Sequence, residues 1–265
     1  MERYAIRGGR EGYERLKLLA RARWPDTSDL FERVGIQPGM RCLDIGCGGG
    51  EVTFEIARII GPKGLAVGID LDEVKLDLGR TAAMEKGLTN VEFRVVNVND
   101  WSEPDAYDVV FCRFLLQHLS RPVDLLRRMW DAVRVGGALA VEDTDFTGLF
   151  SEPPNEAVEF YIRNYQRAIA RRGGDATLGR KLFRCFLEAG IPDPQLKLVQ
   201  SADAGGGEKR LPLSTLTATA EAIVTEGLAH EDEVQSMIAS LTEFTNDPTT
   251  VLSGPRIFQV WARRK

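Results

Sequence analysis

Cys42-Leu43-Asp44-Ile45-Gly46-Cys47-Gly48-Gly49-Gly50 is the stretch of this sequence that decides the fold. Its first half has the apolar content of a short buried strand, and the apolar residues between Val52 and Ile60 then recur at helical spacing. Glycines between a strand and a helix allow unusual backbone angles and let a ligand approach the main chain closely. The strand, glycine loop and helix therefore predict a cofactor-binding crevice.

The glycine loop could serve two kinds of cofactor. A dinucleotide site has the spacing G-x-G-x-x-G, but here the glycines lie at 46, 48 and 50, and Glu51 stands where the last glycine would be. The carboxylates of Glu51 and Asp44 would repel a pyrophosphate, whereas S-adenosylmethionine carries an ammonium and a sulfonium, which acids attract. The electrostatics therefore favour S-adenosylmethionine over NAD.

Five stretches, in order along the chain, resemble the motifs of the class I S-adenosylmethionine-dependent methyltransferases. They are DIGCGGG at 44–50, LAVGID at 65–70, VEFRVVNV at 91–98, YDVVFCR at 107–113 (followed by LLQHL at 115–119) and GGALAVED at 136–143. The resemblance covers about residues 40 to 145. Within the family, the branch that these stretches resemble is that of small-molecule methyltransferases similar to quinone-biosynthesis enzymes.

The alternation of strands and helices predicts an α/β fold with a doubly wound, mostly parallel sheet, and the resemblance implies the seven-stranded, Rossmann-like methyltransferase form of it. We expect residues 1–265 to form a single domain. Its core would comprise about residues 40–145, 176–203 and 255–265. Helical segments outside that core are expected at 1–35, 150–172 and 212–245. Helices inserted near the carboxyl ends of the strands would form a lid over an apolar substrate. The alternative is that they bury a dimer interface or stabilise the core.

Two helices follow from local signals within the core. One is predicted from about Asp72 to Lys86 and ends at Gly87. The other opens at Pro122 and is predicted to continue to about Val135, where two glycines would end it.

The resemblance implies roles for individual residues at the cofactor site. Asp70, which ends the second strand, would accept hydrogen bonds from both ribose hydroxyls, and Asp44 would lie near the methionyl end. Asn97 stands where the family usually has an aspartate for the adenine amino group; its side-chain oxygen can accept the same bond, although nearby Asp100 is an alternative. Val98 would supply a backbone amide to the ring. The remaining members of the predicted cofactor-binding set are Gly46, Gly48, Leu71 and Arg113.

Arg113, at the end of the fourth predicted strand, has two possible partners. Its guanidinium could hold the carboxylate of the cofactor, or it could pair with Glu142 or Asp143 at the neighbouring strand end. Arg15, on the first predicted helix, is a further candidate for the same carboxylate.

His118 is the candidate catalytic residue. An unperturbed histidine has a pKa near neutrality, which suits a general base taking a proton from a phenol, a hydroxyl or an acidic carbon. The alternative is that His118 packs the turn after the fourth strand. Methyl transfer otherwise needs positioning and exclusion of water, so no metal site is expected. Phe146, Tyr161 and Tyr165 are expected to line an acceptor pocket under the inserted helices.

Composition limits the other classes of function. The chain has 265 residues, 43% of them apolar, and a net charge of −5, which argues against a nucleic-acid partner because such proteins present a basic face. Its four cysteines show no metal-ligand spacing. Because no run is long and apolar enough to span a membrane and the N-terminus lacks a signal-peptide pattern, we expect a cytoplasmic location.

The sequence therefore predicts a methyltransferase that moves a methyl group from S-adenosylmethionine to a small organic acceptor. Its expected partner is that small molecule, and a homodimer is possible. The alternatives are an RNA or protein methyltransferase of the same fold, an NAD-dependent oxidoreductase, and a binding or regulatory module that keeps the cofactor fold without turnover.

Overall fold

The computed structural model describes residues 9–265, with side chains from Gly12 onward. The first eight residues of the expected 1–35 helical segment lie outside the described residues. Over the described range the helices are α1 (Gly9–Val34), α2 (Glu51–Ile60), α3 (Glu73–Glu85), α4 (Pro122–Ala132), α5 (Glu156–Ala170), α6 (Leu182–Glu188), α7 (Gly207–Thr225) and α8 (Glu231–Asn246). The strands are β1 (Arg41–Ile45), β2 (Leu65–Asp70), β3 (Val91–Val95), β4 (Tyr107–Arg113), β5 (Val133–Asp145), β6 (Ser151–Glu152), β7 (Gln195–Val199), β8 (Ala202–Asp203), β9 (Val251–Ser253) and β10 (Arg256–Arg263).

The main sheet has seven strands in the order β3-β2-β1-β4-β5-β10-β7. All strands run parallel except β10, which is antiparallel to both β5 and β7. This arrangement confirms the predicted doubly wound, mostly parallel sheet. The strand order reverses between β1 and β4, and ligands of open α/β sheets bind beyond the carboxyl ends of the strands at such a point.

Helices cover both faces of the main sheet because successive side chains of each buried strand point to opposite sides. In β4, Val110 and Cys112 join the core under α4 and α6, whereas Val109 and Phe111 join the core under α1 and α2. A parallel strand that is buried on both faces reads as a continuous apolar run, as Val109 to Cys112 of β4 do.

The inserted helices have a hydrophobic core of their own. Apolar side chains of α5, α7 and α8 pack together with residues of a second, antiparallel sheet in which β9 lies between β6 and β8. Fully buried members of this core include Phe160 from α5, Leu216 from α7 and Leu241 from α8. The three helices therefore form a layer whose packing does not depend on the faces of the main sheet.

The predicted end of α4 is wrong by three residues. The helix ends at Ala132, and β5 begins at Val133 and runs through the glycine pair that was expected to stop the helix. Long-range bonds explain the difference, because the Gly136 amide donates to the Arg264 carbonyl (2.7 Å) and the Arg264 amide donates to the Gly137 carbonyl (3.0 Å). These contacts pair the glycines with the C-terminal end of the chain, which no local signal reveals.

A buried ion pair joins α1 to α7. Arg23 of α1 is 2% exposed and Glu208 of α7 is 5% exposed, and the guanidinium binds the carboxylate through Nη2. Nη1 of Arg23 also donates to Ser201 Oγ (2.7 Å). The pair fixes the two helices relative to each other at the carboxyl edge of the sheet.

We expect Arg23→Ala to lower the free energy of unfolding by about 3–5 kcal/mol, because it leaves the Glu208 carboxylate buried without its cation. Urea denaturation measures this loss. Arg33→Ala is the matched control, since Arg33 lies on the same helix in an exposed pair with Asp29 and its removal should leave stability almost unchanged. Equal losses in the two variants would contradict a structural role for the buried pair.

Candidate functional site

A cavity of about 660 Å³ lies where β1 and β4 end, under α1, α5 and α7. Such a volume is typical of a small-molecule or cofactor site. All nine residues predicted for the site line it: Asp44, Gly46, Gly48, Asp70, Leu71, Asn97, Val98, Arg113 and His118. The structure thus brings together residues that are up to 74 positions apart in the sequence, Asp44 and His118 being the outermost.

The glycine loop is packed tightly under α1. A Cβ atom at Gly48, whose φ is +55°, would lie 2.6 Å from Leu16 Cδ1, and one at Gly49 would lie 2.2 Å from the ring of Tyr13. Such distances are far below van der Waals contact, and a positive φ is itself unfavourable for a residue with a side chain. The positive φ favours glycine at Gly48, and a side chain at either position would require Leu16 or Tyr13 to move.

Asp70 holds the loop in place. Its Oδ2 atom accepts a hydrogen bond from the Gly48 amide (2.8 Å), and its Oδ1 atom accepts one from the Asp72 amide (2.9 Å). Each carboxylate oxygen has a second lone pair, and the side chain lies on the cavity wall. Asp70 can therefore bind a diol while it keeps the glycine loop and the start of α3 in register.

Asp44 is a carboxylate buried at the end of β1, with 3% of its surface exposed. Burial raises its pKa to about 6, the neighbouring Asp70 charge adds to this, and a hydrogen bond from Thr53 Oγ1 (2.7 Å) and the charge of Arg113 oppose it. Glu51 also lines the cavity, and its Oε1 atom is buried with no hydrogen-bond partner. This end of the cavity therefore offers negative charge to a cationic ligand.

Arg113 adopts neither of the pairings expected for it with Glu142 or Asp143. Its Nη1 atom donates to Thr27 Oγ1 (3.1 Å), and that hydroxyl donates in turn to Glu142 Oε2 (2.8 Å). Burial lowers the pKa of Arg113, and the charges of Glu142 and Asp44 oppose that effect. Arg113 thus reaches the acid of the neighbouring strand through a hydroxyl of α1, and its guanidinium also lines the cavity.

Asn97 and Asp100, the two candidate partners for the adenine amino group, are hydrogen-bonded to each other. Asn97 Nδ2 donates to Asp100 Oδ2 (3.0 Å), and Asn97 Oδ1 accepts a hydrogen bond from the Asn99 amide (3.0 Å). Asn97 and Val98 line the cavity and Asp100 does not. Leu71 lies at the mouth of the cavity with 58% of its surface exposed, which leaves an apolar face free for a flat ring.

The end of the cavity away from the glycine loop contains an aromatic cluster. Phe146 stacks on Tyr165 with ring centroids 4.1 Å apart, and Tyr161 lies edge-on to Phe146 at 5.9 Å. Burial raises the pKa of Tyr161, so its phenol stays un-ionised at neutral pH. All three rings line the cavity, as expected from the sequence.

His118 lines the same cavity from a 3-10 turn (Leu116–His118) that follows β4. The Asp143 carboxylate orients this turn by accepting the Gln117 amide (3.0 Å). Burial lowers the pKa of His118 to about 3, and the charges of Arg15, Arg172 and Lys75 contribute to the same shift. The imidazole is therefore neutral at physiological pH, rather than titrating near neutrality as its residue type suggested.

Several residues of the cavity were not predicted from the sequence. Those from α7 are Glu208, Leu211, Pro212, Thr215, Ala218, Glu221, Ala222 and Thr225. Arg172, in the turn after α5, also lines the cavity. Of the expected 212–245 lid segment, the cavity-lining residues all lie in α7, and α8 packs behind it.

A family model described as a methyltransferase domain matches residues 36–171, just over half of the chain. The chain belongs to this methyltransferase family. The resemblance noted from the sequence motifs is confirmed, and the protein is an S-adenosylmethionine-dependent methyltransferase rather than an NAD-dependent oxidoreductase.

Individual relatives agree with this assignment. The ubiquinone/menaquinone biosynthesis C-methyltransferase UbiE of Ectopseudomonas mendocina (strain ymp) is 36% identical to this chain. The alignment covers 66% of this chain and 68% of the relative. A ubiquinone biosynthesis O-methyltransferase of Acinetobacter baumannii (strain ACICU) is 35% identical over 40% of this chain and 44% of its own. The crystal structure of geranyl diphosphate C-methyltransferase from Streptomyces coelicolor A3(2) shares the fold, with a TM-score of 0.55, 19% identity, and coverage of 94% and 83%.

None of the helices within residues 9–265 combines the length and the apolar character that a membrane crossing requires.

We expect Asp44→Asn to stabilise the methyltransferase and to weaken binding of the cofactor product S-adenosylhomocysteine, which carries an ammonium. The pKa of Asp44 lies about two units above its unfolded value of 3.8, so at pH 7.5 ionisation costs the folded state up to about 3 kcal/mol. Urea denaturation should show this gain, and the gain should shrink as the pH falls from 7.5 to 5, where the folded parent is already protonated. The control is Asp131→Asn, an exposed change on α4 that should leave the free energy of unfolding almost unchanged. If Asp44→Asn and the parent have the same free energy of unfolding at pH 7.5, burial of Asp44 does not cost the folded state stability.

Proposed function

We propose that this methyltransferase acts on a small organic acceptor that binds in the same cavity as S-adenosylmethionine. One observation carries the proposal: a single cavity runs from the glycine loop and Asp70 to the aromatic cluster of Phe146, Tyr161 and Tyr165. A continuous cavity lets two ligands meet inside it, and walls made by α1, α5 and α7 exclude water from the meeting point.

The residues of the glycine-loop end fit S-adenosylmethionine. Asp70 would hold the ribose hydroxyls, and Asp44 would attract the ammonium of the methionyl part. The adenine would contact Leu71, Asn97 and Val98. The glycine loop with Gly46 and Gly48 would let the cofactor approach the main chain, and Arg113 would lie near the methionyl carboxylate. When bound, S-adenosylmethionine supplies an already activated methyl group, so the protein's own task is binding and alignment.

The size and lining of the other end support a small acceptor. Apolar and aromatic side chains dominate there, with Leu149 and Ile169 beside the aromatic cluster. The relatives named above carry the names of carbon and oxygen methyltransferases of quinone biosynthesis, which supports the same general class of acceptor. The predicted homodimer, the absence of a nucleic-acid partner and the cytoplasmic location stay predictions.

We also propose that the chain is one methyltransferase domain in which α1, α5 and α7 form the lid. The second core of α5, α7, α8 and the small sheet supports this, because it holds the lid helices together beside the main sheet. The buried pair of Arg23 and Glu208 attaches α1 to the same layer.

His118 is the candidate base for an acceptor that must lose a proton. With a pKa of about 3, its imidazole stays in the neutral form, the one that has a nitrogen free to accept a proton, across the physiological range. A base this weak suits an acceptor that is itself acidic.

Asp70→Asn should weaken binding of S-adenosylhomocysteine about 10- to 100-fold, since it removes the charge from two hydrogen bonds to the ribose. Isothermal titration calorimetry measures the affinity, and NADH is titrated alongside. Asp77→Asn, an exposed change on α3, is the matched control and should bind like the parent. Parent protein that binds NADH and not S-adenosylhomocysteine would overturn the proposed function; unchanged affinity in Asp70→Asn would overturn the ribose assignment alone.

His118→Asn should lower kcat about 100-fold without changing the affinity for S-adenosylhomocysteine, and the parent should show no inflection near pH 6.5 because the imidazole stays neutral. The chain offers an internal control in its second histidine: His230 is exposed just before α8, outside the cavity lining, and His230→Asn should be silent. Unchanged turnover in His118→Asn would leave His118 as a packing residue.

A further inference from the structure

The electrostatic character of the cavity changes along its length. Asp44, Glu51 and Asp70 lie at the glycine-loop end. Around His118 the sign is reversed, because the charges of Arg15, Arg172 and Lys75 all lower the pKa of its imidazole. Because Glu208 and Glu221 also line the cavity, an anionic ligand is best accommodated at a cation that has no acid beside it.

Arg15 belongs to the face of α1 that closes the cavity. The lining residues of this helix are spaced by three and four positions, as one helical face requires: Gly12, Arg15, Leu16, Leu19, Ala20 and Arg23. Arg15 and Arg23 are the two cations of the face. Arg23 is satisfied by Glu208 and Ser201, whereas Arg15 makes no hydrogen bond or ion pair with any residue from 12 to 265, and its Nε atom is buried without a partner.

The other cations near His118 each have an acid. Lys75 lies 3.2 Å from Asp72 Oδ2, and Arg172 pairs with Glu226. Arg15 therefore differs from its neighbours in having a guanidinium that the described protein atoms do not neutralise.

An unpartnered guanidinium nitrogen away from water is unfavourable, and a ligand that supplies the missing acceptor is bound correspondingly well. Guanidinium matches carboxylate geometry with two parallel hydrogen bonds. Arg15, His118 and the aromatic cluster line the same cavity, and the charge of Arg15 lowers the pKa of both His118 and Tyr161. A ligand bound at Arg15 would therefore have its apolar body against these rings.

We propose that the acceptor is a small aromatic carboxylic acid, whose carboxylate binds Arg15 while its ring packs on Phe146, Tyr161 and Tyr165. This assignment rests on the proposed function, because it concerns the acceptor end of the same cavity. It makes Arg15 a specificity-determining residue, selecting acids over neutral molecules of the same shape.

The first experiment compares two probes of equal shape, 2-naphthoate and 2-naphthamide, titrated by NMR into the full chain saturated with S-adenosylhomocysteine. The acid should bind at least tenfold more tightly than the amide to the parent protein. In Arg15→Gln this preference should disappear, and in Arg21→Gln, which removes an exposed charge from the same helix, it should persist. Equal binding of acid and amide by the parent overturns the proposal without reliance on any variant, as does a preference that survives in Arg15→Gln.

A second arm separates the acceptor from the cofactor as the source of the carboxylate. S-adenosylhomocysteine carries a methionyl-type carboxylate, and 5′-methylthioadenosine lacks it. If Arg15 binds the acceptor, Arg15→Gln should bind both nucleosides within about twofold of the parent. Loss of S-adenosylhomocysteine affinity with unchanged methylthioadenosine affinity would assign Arg15 to the cofactor and overturn the acceptor proposal. Parent protein that binds neither nucleoside would instead overturn the proposed function, so the two failures are distinguishable.

Discussion

Tyr13 and Leu16 of α1 lie against the main chain of the glycine loop, at Gly49 and Gly48, where a single added carbon on either glycine would collide with them. The loop thus has two neighbours, the ligand in the cavity and the helix above it. Because Asp70 fixes the same loop from below through the Gly48 amide, the position of α1 is transmitted to the end of β2. The part of the cavity wall between Gly12 and Arg23 belongs to α1, so this contact sets where that part of the wall lies.

The contact also explains how the charges of the cavity are kept apart. Asp44 and Asp70 lie at strand ends under the loop, and Arg15 and Arg23 lie on the helix above. Arg23 is neutralised by Glu208 of α7. The helix α1 is therefore held at one end by its packing on the glycine loop and at the other end by the buried ion pair with α7. A helix fixed at both sides can present Arg15 at a constant place without any direct partner for it in the described protein.

The sequence was informative where structure and chemistry depend on neighbouring residues. The apolar run of β4, the glycine loop and the acid at the end of β2 are local patterns, and they predicted the sheet and the position of Asp70 correctly. Hydrogen-bonded pairing between distant segments was not visible in the sequence. The strands β6 and β9 are two and three residues long, and they form because Ser151 pairs with Leu252. Likewise, β5 includes Gly136 because Gly136 is hydrogen-bonded to Arg264. Nor could the α1 hydroxyl between Arg113 and Glu142 be found, since Thr27 is 86 positions from the arginine. The low pKa of His118 arises from burial and from three cations that are far apart in the sequence, Arg15, Lys75 and Arg172, so residue type alone indicated the wrong range.

The layer built from α5, α7, α8 and the small sheet has its own apolar core, and α7 contributes several small side chains to the cavity wall, among them Ala218, Ala222 and Thr215. Exchange of these residues alters the shape of the acceptor space while the strands that carry Asp44 and Asp70 keep their packing. Evolution can therefore diversify what the enzyme methylates without rebuilding how it holds the methyl donor. The same separation makes the inner face of α7 the natural place to redesign the enzyme for new acceptors.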